Sequence, residues 1–85
     1  MLRVEAIQTA FETAKSNGIK RPKIRLFAGE HTYEFTRAPD HGRNAGAIYV
    51  TSYNDYLGKI AEGQFLPVGL CSREQASEVL SLIHI

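Results

Sequence analysis

The 85-residue sequence has few of the residues that hold very small domains together by covalent or metal bonds. Its single cysteine, Cys71, excludes an intramolecular disulfide. Three histidines and that one cysteine do not form a recognisable zinc-binding pattern, so no metal site is predicted. A domain of this length therefore depends on side-chain packing, or on a partner subunit, for its stability.

Long apolar runs and a strong charge excess are also absent. No apolar run approaches the roughly 20 residues that a membrane-spanning helix needs, and the charged N-terminus Met1–Glu5 does not resemble a signal peptide. We therefore expect no membrane partner, and the unpaired cysteine favours the reducing cytoplasm. The 44% of hydrophobic residues is enough for a packed core, which predicts one globular domain over residues 1–85.

Charge is distributed unevenly along the chain, although the net charge is only +1. Between Lys15 and Gly46, seven basic residues stand against three acidic ones, whereas the remainder of the chain carries a net charge of −3. The densest basic stretch holds Lys20, Arg21, Lys23 and Arg25. Such a cluster can neutralise phosphates, but the same composition is typical of a solvated linker.

Two amphipathic helices are predicted, one near each end of the chain. The first runs from about Leu2 to Ser16 and ends at Asn17-Gly18, residues that tolerate a positive φ. The second begins after Ser72, which forms a capping box with Gln75. Their apolar positions, spaced by three and four residues, are Val4, Ile7, Phe11 and Ala14 in the first helix and Ala76, Val79, Leu80 and Ile83 in the second.

Alternating polar and apolar residues predict strands between the helices. The strands are Lys23–Phe27, His31–Arg37, Ala47–Thr51 and Tyr56–Ile60, with a short extended piece at Gln64–Leu66. Turns are predicted at Ala28-Gly29-Glu30 and Asn54-Asp55. The predicted fold is α+β, an antiparallel sheet of four to five strands with an N-terminal and a C-terminal helix packed on one face. Ile48, Val50, Tyr56 and Ile60 are expected to face this core.

The opposite sheet face is the strongest candidate for a binding surface. Because side chains alternate between the two faces of a strand, the sequence predicts that one set of residues faces away from the helices. The set is Lys23, Arg25, Phe27, Tyr49, Tyr53 and Lys59. Aromatic rings beside cations can stack unpaired bases and follow phosphates. The same residues are more often part of an ordinary solvated face, and they are also typical of a protein contact.

No catalytic group stands out in the remaining sequence. In the loop Ala38–Gly46, Arg43 and the N–H groups near its glycines could receive an anion, but the loop lacks the Gly-Lys-Ser/Thr ending of a phosphate-binding P-loop. Cys71 precedes a helix N-terminus, yet a nucleophile also needs a base and an orienting group. Only the fold could bring His31 or His41 to it. We therefore expect a non-enzymatic protein that needs no cofactor.

Four short stretches resemble a group of short uncharacterised proteins encoded by bacteriophages. They are Pro22-x-Ile24-x-Leu26, Asn44–Val50 (NAGAIYV), Tyr56–Ile60 (YLGKI) and Gly63–Phe65 (GQF), and the resemblance covers the chain from Pro22 to Phe65. It implies a phage or prophage origin and action inside the bacterial cytoplasm, and it brings no catalytic residues. Small phage proteins of this kind often act by binding nucleic acid or by blocking host proteins.

The first functional hypothesis is a modulator or inhibitor that acts through protein–protein contact with a host complex. The alternative is a nucleic-acid-binding domain, and the third is a small enzyme or anion-binding protein that uses the loop Ala38–Gly46. Open sheet edges add self-association into a homo-oligomer as a further hypothesis. The candidate binding residues are Lys20, Arg21, Lys23, Arg25, Phe27, Arg43, Tyr49, Tyr53 and Lys59.

Overall fold

A computed structural model describes residues 3–84 and shows two helices flanking five strands. The elements are α1 (Arg3–Ser16), β1 (Lys23–Ala28), β2 (His31–Arg37), β3 (Ile48–Ser52), β4 (Asp55–Ala61), β5 (Gln64–Pro67) and α2 (Arg73–Ile83). The predicted α+β fold is confirmed, with the extended piece as a fifth strand. Leu2, the predicted first residue of α1, lies outside the described residues. Within the described range, neither helix has the length and apolar character needed to cross a membrane.

The sheet is an antiparallel meander in which each strand pairs with its neighbours in sequence. The hairpin loop between β3 and β4 is Tyr53-Asn54, one residue earlier than the predicted Asn54-Asp55. Both loop residues have positive φ, as two-residue hairpins with the strand-matching twist require. Glu62-Gly63 makes the same kind of loop between β4 and β5.

Both helices pack on one face of the sheet and enclose the core. The helices supply Val4, Ile7, Phe11, Val79, Leu82 and Ile83, and the sheet supplies Tyr33, Phe35, Ile48, Val50, Leu57, Ile60 and Phe65. One predicted core position in α2 is wrong, because Leu80 is 42% exposed and Leu82 is buried instead. Leu80 lies four residues after Ala76 and Leu82 lies three residues after Val79, so both fit helical spacing and the rotation of the packed helix selects between them.

An irregularity in the β3–β4 pairing reverses part of the expected pattern. Val50 pairs with Gly58 and Thr51 pairs with Tyr56, which leaves Leu57 as an extra residue in β4. Leu57 turns into the core, whereas Tyr56 lies on the opposite face and is 39% exposed. The prediction that Tyr56 faces the core is therefore wrong, because a β-bulge shifts the alternation by one residue.

Candidate binding surface

The sheet face opposite the helices, hereafter the outer face, carries two rows of side chains that cross neighbouring strands. Strand pairing places these residues side by side, because paired residues in adjacent strands point to the same face. The first row is Lys23, Thr36, Tyr49, Lys59 and Leu66, and the second is Arg25, Glu34, Thr51 and Tyr56. The two rows bring together residues that are up to 43 positions apart in the sequence.

Aromatic and aliphatic side chains are exposed along this face. Phe27 at the end of β1 is 72% exposed, and Leu66 on β5 is 46% exposed. Tyr49 and Tyr56 meet edge to face, with ring centroids 5.8 Å apart, an arrangement that aromatic pairs favour. Tyr53, at the tip of the β3–β4 hairpin, donates a hydrogen bond of 3.3 Å to the Glu30 carbonyl oxygen. The rings are thus held in place by sheet pairing and by contacts with each other.

Two of the cations on the outer face have polar partners, a carboxylate for Arg25 and a neutral amide for Lys59. Arg25 Nε donates to Glu34 Oε1 at 3.1 Å across the β1–β2 pair. Lys59 Nζ donates to Asn44 Oδ1 at 2.8 Å, and the Asn44 amide donates to Tyr49 Oη at 3.3 Å. Asn44 therefore fastens the loop Ala38–Gly46 to the outer face, a role that sequence reasoning missed because no local pattern marks it.

The basic segment just before and at the start of β1 has no carboxylate partner within the described chain. Among residues 3–84, no carboxylate lies within 4.0 Å of the amino or guanidinium nitrogens of Lys20, Arg21 or Lys23. All three residues are exposed. The segment therefore presents three uncompensated positive charges at one end of the outer face.

A cleft of about 700 Å³ lies beside this segment, between the end of α1 and the start of the loop Ala38–Gly46. Asp40 forms ion pairs with two cations that line the cleft. The Asp40 carboxylate contacts Lys15 Nζ and lies 3.0 Å from an Arg37 guanidinium nitrogen. The hydrogen bond from Lys15, followed by the positive charge of Arg37, lowers the pKa of Asp40. The wall of the cleft is thus tied together by ion pairs.

The nine candidate binding residues occupy three neighbouring regions of the molecule. Lys23, Arg25, Phe27, Tyr49 and Lys59 lie on the outer face, with Tyr53 at its hairpin tip. Lys20 and Arg21 precede β1, and Arg43 is exposed in the loop Ala38–Gly46. Sequence reasoning missed Tyr56 and Leu66, which the outer face also exposes.

The other groups considered from the sequence have mainly structural contacts. In the loop, the Ala45 and Ala47 N–H groups donate to the carbonyl oxygens of Gly42 and Asn44, at 3.3 and 2.9 Å. These two donors are therefore already used within the loop's own turns. Burial raises the pKa of the Cys71 thiol, which favours the protonated form over the nucleophilic thiolate.

A polar cluster that sequence reasoning missed lies on the helix side of the sheet. Glu78 of α2 accepts a hydrogen bond from Tyr33 Oη at 2.5 Å, and its Oε1 lies 2.7 Å from His31 Nδ1. The hydrogen bonds from Tyr33 and His31 lower the pKa of Glu78. Burial and the nearby Glu78 carboxylate raise the pKa of Tyr33. No local signal could have joined residues 45 positions apart.

Comparison with known proteins adds no relative to this description. No family model matches the chain, nor does any curated protein or solved structure.

Proposed function

We propose that this protein is a non-enzymatic binding domain whose outer face contacts a partner protein. The observation that carries the proposal is the exposure of Phe27, Tyr53, Tyr56 and Leu66 around a sheet face that no helix of the described chain covers. Aromatic residues and arginine are enriched in protein interfaces, where large rigid side chains lose little conformational entropy on binding.

Charge indicates the chemistry of the partner. The rows of the outer face carry three basic residues against one acidic residue, Glu34, and Lys20 and Arg21 add positive charge at the adjoining end. A complementary partner surface is acidic and carries apolar groups that meet the exposed aromatic and leucine side chains, since opposite potentials guide association and suppress wrong partners. In keeping with the resemblance to phage proteins, we propose that the partner belongs to a host complex and that binding modulates or inhibits it.

The test is capture of the partner from bacterial lysate, followed by affinity measurements with purified variants. Phe27→Ala and Tyr56→Ala are expected to weaken binding by about tenfold or more each, as truncation of aromatic residues that become buried in an interface does. Leu70→Ala is the matched control, because Leu70 is 78% exposed but lies in the segment between β5 and α2. A partner held equally by wild type and by the Phe27→Ala, Tyr56→Ala double variant would show that the outer face is the wrong surface.

A second candidate function, binding of single-stranded nucleic acid, is favoured by the free cations Lys20, Arg21 and Lys23 beside exposed rings. Three phosphate contacts predict that log affinity falls with log salt concentration with a slope of about −2. The measurement is a salt titration with a labelled oligonucleotide, in which Lys20→Ala should make the slope shallower by about 0.7. Absence of binding at low salt would reject this function and leave the protein-binding proposal standing.

A further inference from the structure

We propose that His31, Glu74 and Glu78 form a binding site for a divalent transition-metal ion, with Zn²⁺ as the reference case. One nitrogen of His31 and one carboxylate oxygen of each glutamate all lie within 4.8 Å of one another. Histidine nitrogen and glutamate oxygen are both zinc ligands, and here they converge from different parts of the chain. The site lies on the helix side of the sheet, so it is separate from the outer face.

The fold brings these ligands together from a strand and a helix. Glu74 and Glu78 are four residues apart in α2, so they lie one above the other on the same side of the helix. His31 is the first residue of β2. The side chains of His31 and Glu78 are 29% and 19% exposed, whereas Glu74 is exposed. The site is therefore half-buried and open to solvent on the Glu74 side, which gives an ion a path of entry.

The set of donor atoms selects the class of metal. Imidazole nitrogen favours zinc and its neighbours in the first transition row, whereas magnesium and calcium favour oxygen alone. Zinc also accepts carboxylate oxygens, at about 2.0–2.2 Å. Three protein ligands leave a fourth tetrahedral position for water.

Only small movements separate the present arrangement from tetrahedral coordination. Ligand atoms around a tetrahedral zinc ion lie about 3.3 Å apart, given metal–ligand distances near 2.0–2.1 Å. His31 Nδ1 and Glu78 Oε1, now 2.7 Å apart, would separate by about 0.6 Å. The two ligand atoms that are now farthest apart would move closer by at most about 1.5 Å. Within residues 3–84 Glu74 has no ion pair, so its exposed side chain is free to rotate toward the ion.

Tyr33 supplies the support that metal-binding carboxylates usually have. Its hydroxyl donates to Glu78 Oε1 and fixes the orientation of that side chain, as hydrogen bonds from groups behind the ligands commonly do. A hydrogen bond joins His31 Nδ1 to Glu78 Oε1 in the present arrangement, and a metal ion bound to both atoms would take its place. An ordinary hydrogen-bonded cluster without a metal ion would also explain the positions of His31, Tyr33 and Glu78. Glu74 distinguishes such a cluster from a metal site, because only the metal site uses the Glu74 carboxylate.

The experiment measures zinc binding by the full, tag-free chain. Isothermal titration is expected to give one zinc ion per chain. Zinc at ten times its Kd is expected to raise Tm by about 6–11 °C for a domain of this size. Glu74→Gln should weaken zinc binding by about tenfold or more, and should lower the Tm of the metal-free protein only by the small amount that loss of a first-turn acid causes, as Glu5→Gln does. Glu5→Gln is the matched control, because Glu5 is an exposed acid in the first turn of α1 and should not affect zinc binding.

Two results would overturn the proposal. One is the absence of both heat and a Tm shift for the wild-type chain at zinc concentrations up to about 1 mM, a level at which only very weak sites stay empty. The other is equal zinc affinity in wild type, Glu74→Gln and His31→Gln, which would assign the ion to other residues. Loss of zinc binding in both variants, with retention in Glu5→Gln, would support the site.

Discussion

Gly58 offers a direct test of how the sheet is packed. It lies in β4 opposite Pro67 of β5, with φ of +150°. A Cβ atom added there would stand 2.3 Å from the Leu66 carbonyl oxygen and 2.9 Å from both Pro67 Cα and Phe65 Cε1. Two of these atoms belong to the backbone and cannot rotate away, so β5 must move to accommodate alanine.

Gly58→Ala is therefore expected to lower the free energy of unfolding substantially. Overpacking costs about 1–3 kcal/mol, and holding a residue with a side chain at this φ adds about 1–3 kcal/mol. The sum, about 2–6 kcal/mol, is a large part of the about 4–13 kcal/mol expected for a chain of 85 residues. Tm should fall by at least about 8 °C.

Urea and thermal denaturation followed by circular dichroism measure this loss, and two other glycines provide controls. Gly63 has φ of +77° but no neighbouring atom within 4 Å of an added Cβ, so Gly63→Ala isolates the backbone cost, about 1 kcal/mol. Gly69→Ala meets neither constraint and should stay within about 0.5 kcal/mol of wild type. A loss at Gly58 no larger than that at Gly63 would refute the steric reasoning.

Two further predictions concern α2 and its contact with the sheet. Ser72→Ala removes the side-chain cap from the Gln75 N–H, which should lower the free energy of unfolding by about 1 kcal/mol and Tm by about 4–8 °C. Gln75→Glu is the control and should cause no such loss, because glutamate can still accept the hydrogen bond from the Ser72 N–H. Because the pKa of Tyr33 is raised above its usual 10.0, the unfolded chain loses this proton first as pH rises, so stability should decline above pH about 10. Urea titrations between pH about 8 and 11.5 measure the decline, and an equal slope in Tyr33→Phe would show that Tyr33 is not its source.

Sequence patterns predicted the elements of this fold well where the relevant interaction is local. The capping box at Ser72 and Gln75 forms as expected, because both partners lie within one helical turn. The alternation in β1 and β3 likewise places Phe27 and Tyr49 on the outer face and Val50 in the core. Period two is reliable there because the β1–β2 and β2–β3 pairings are regular, and the extra residue of the β3–β4 pair lies in β4.

The predictions were wrong where a position is decided by contacts with distant residues. Tyr56 and Leu57 exchange faces because β4 holds one residue more than β3 can pair, and nothing in YLGKI marks that irregularity. For the candidate site, the sequence identified Phe27 and Lys59 but could not join Lys59 to Asn44, 15 positions away. The contact between His31 and Glu78 spans 47 positions and depends on the final docking of α2.

The order of the strands also has a consequence for how the chain reaches its native state. Every pair in the meander joins consecutive strands, and three of the four connections are two-residue hairpin loops. Such contacts close short loops and form quickly, since little chain entropy is lost before each pairing is gained. Packing of α1 against α2 joins the two ends of the chain and closes the largest loop. Docking of the helices, rather than pairing of the strands, is therefore the step in which slow folding is expected.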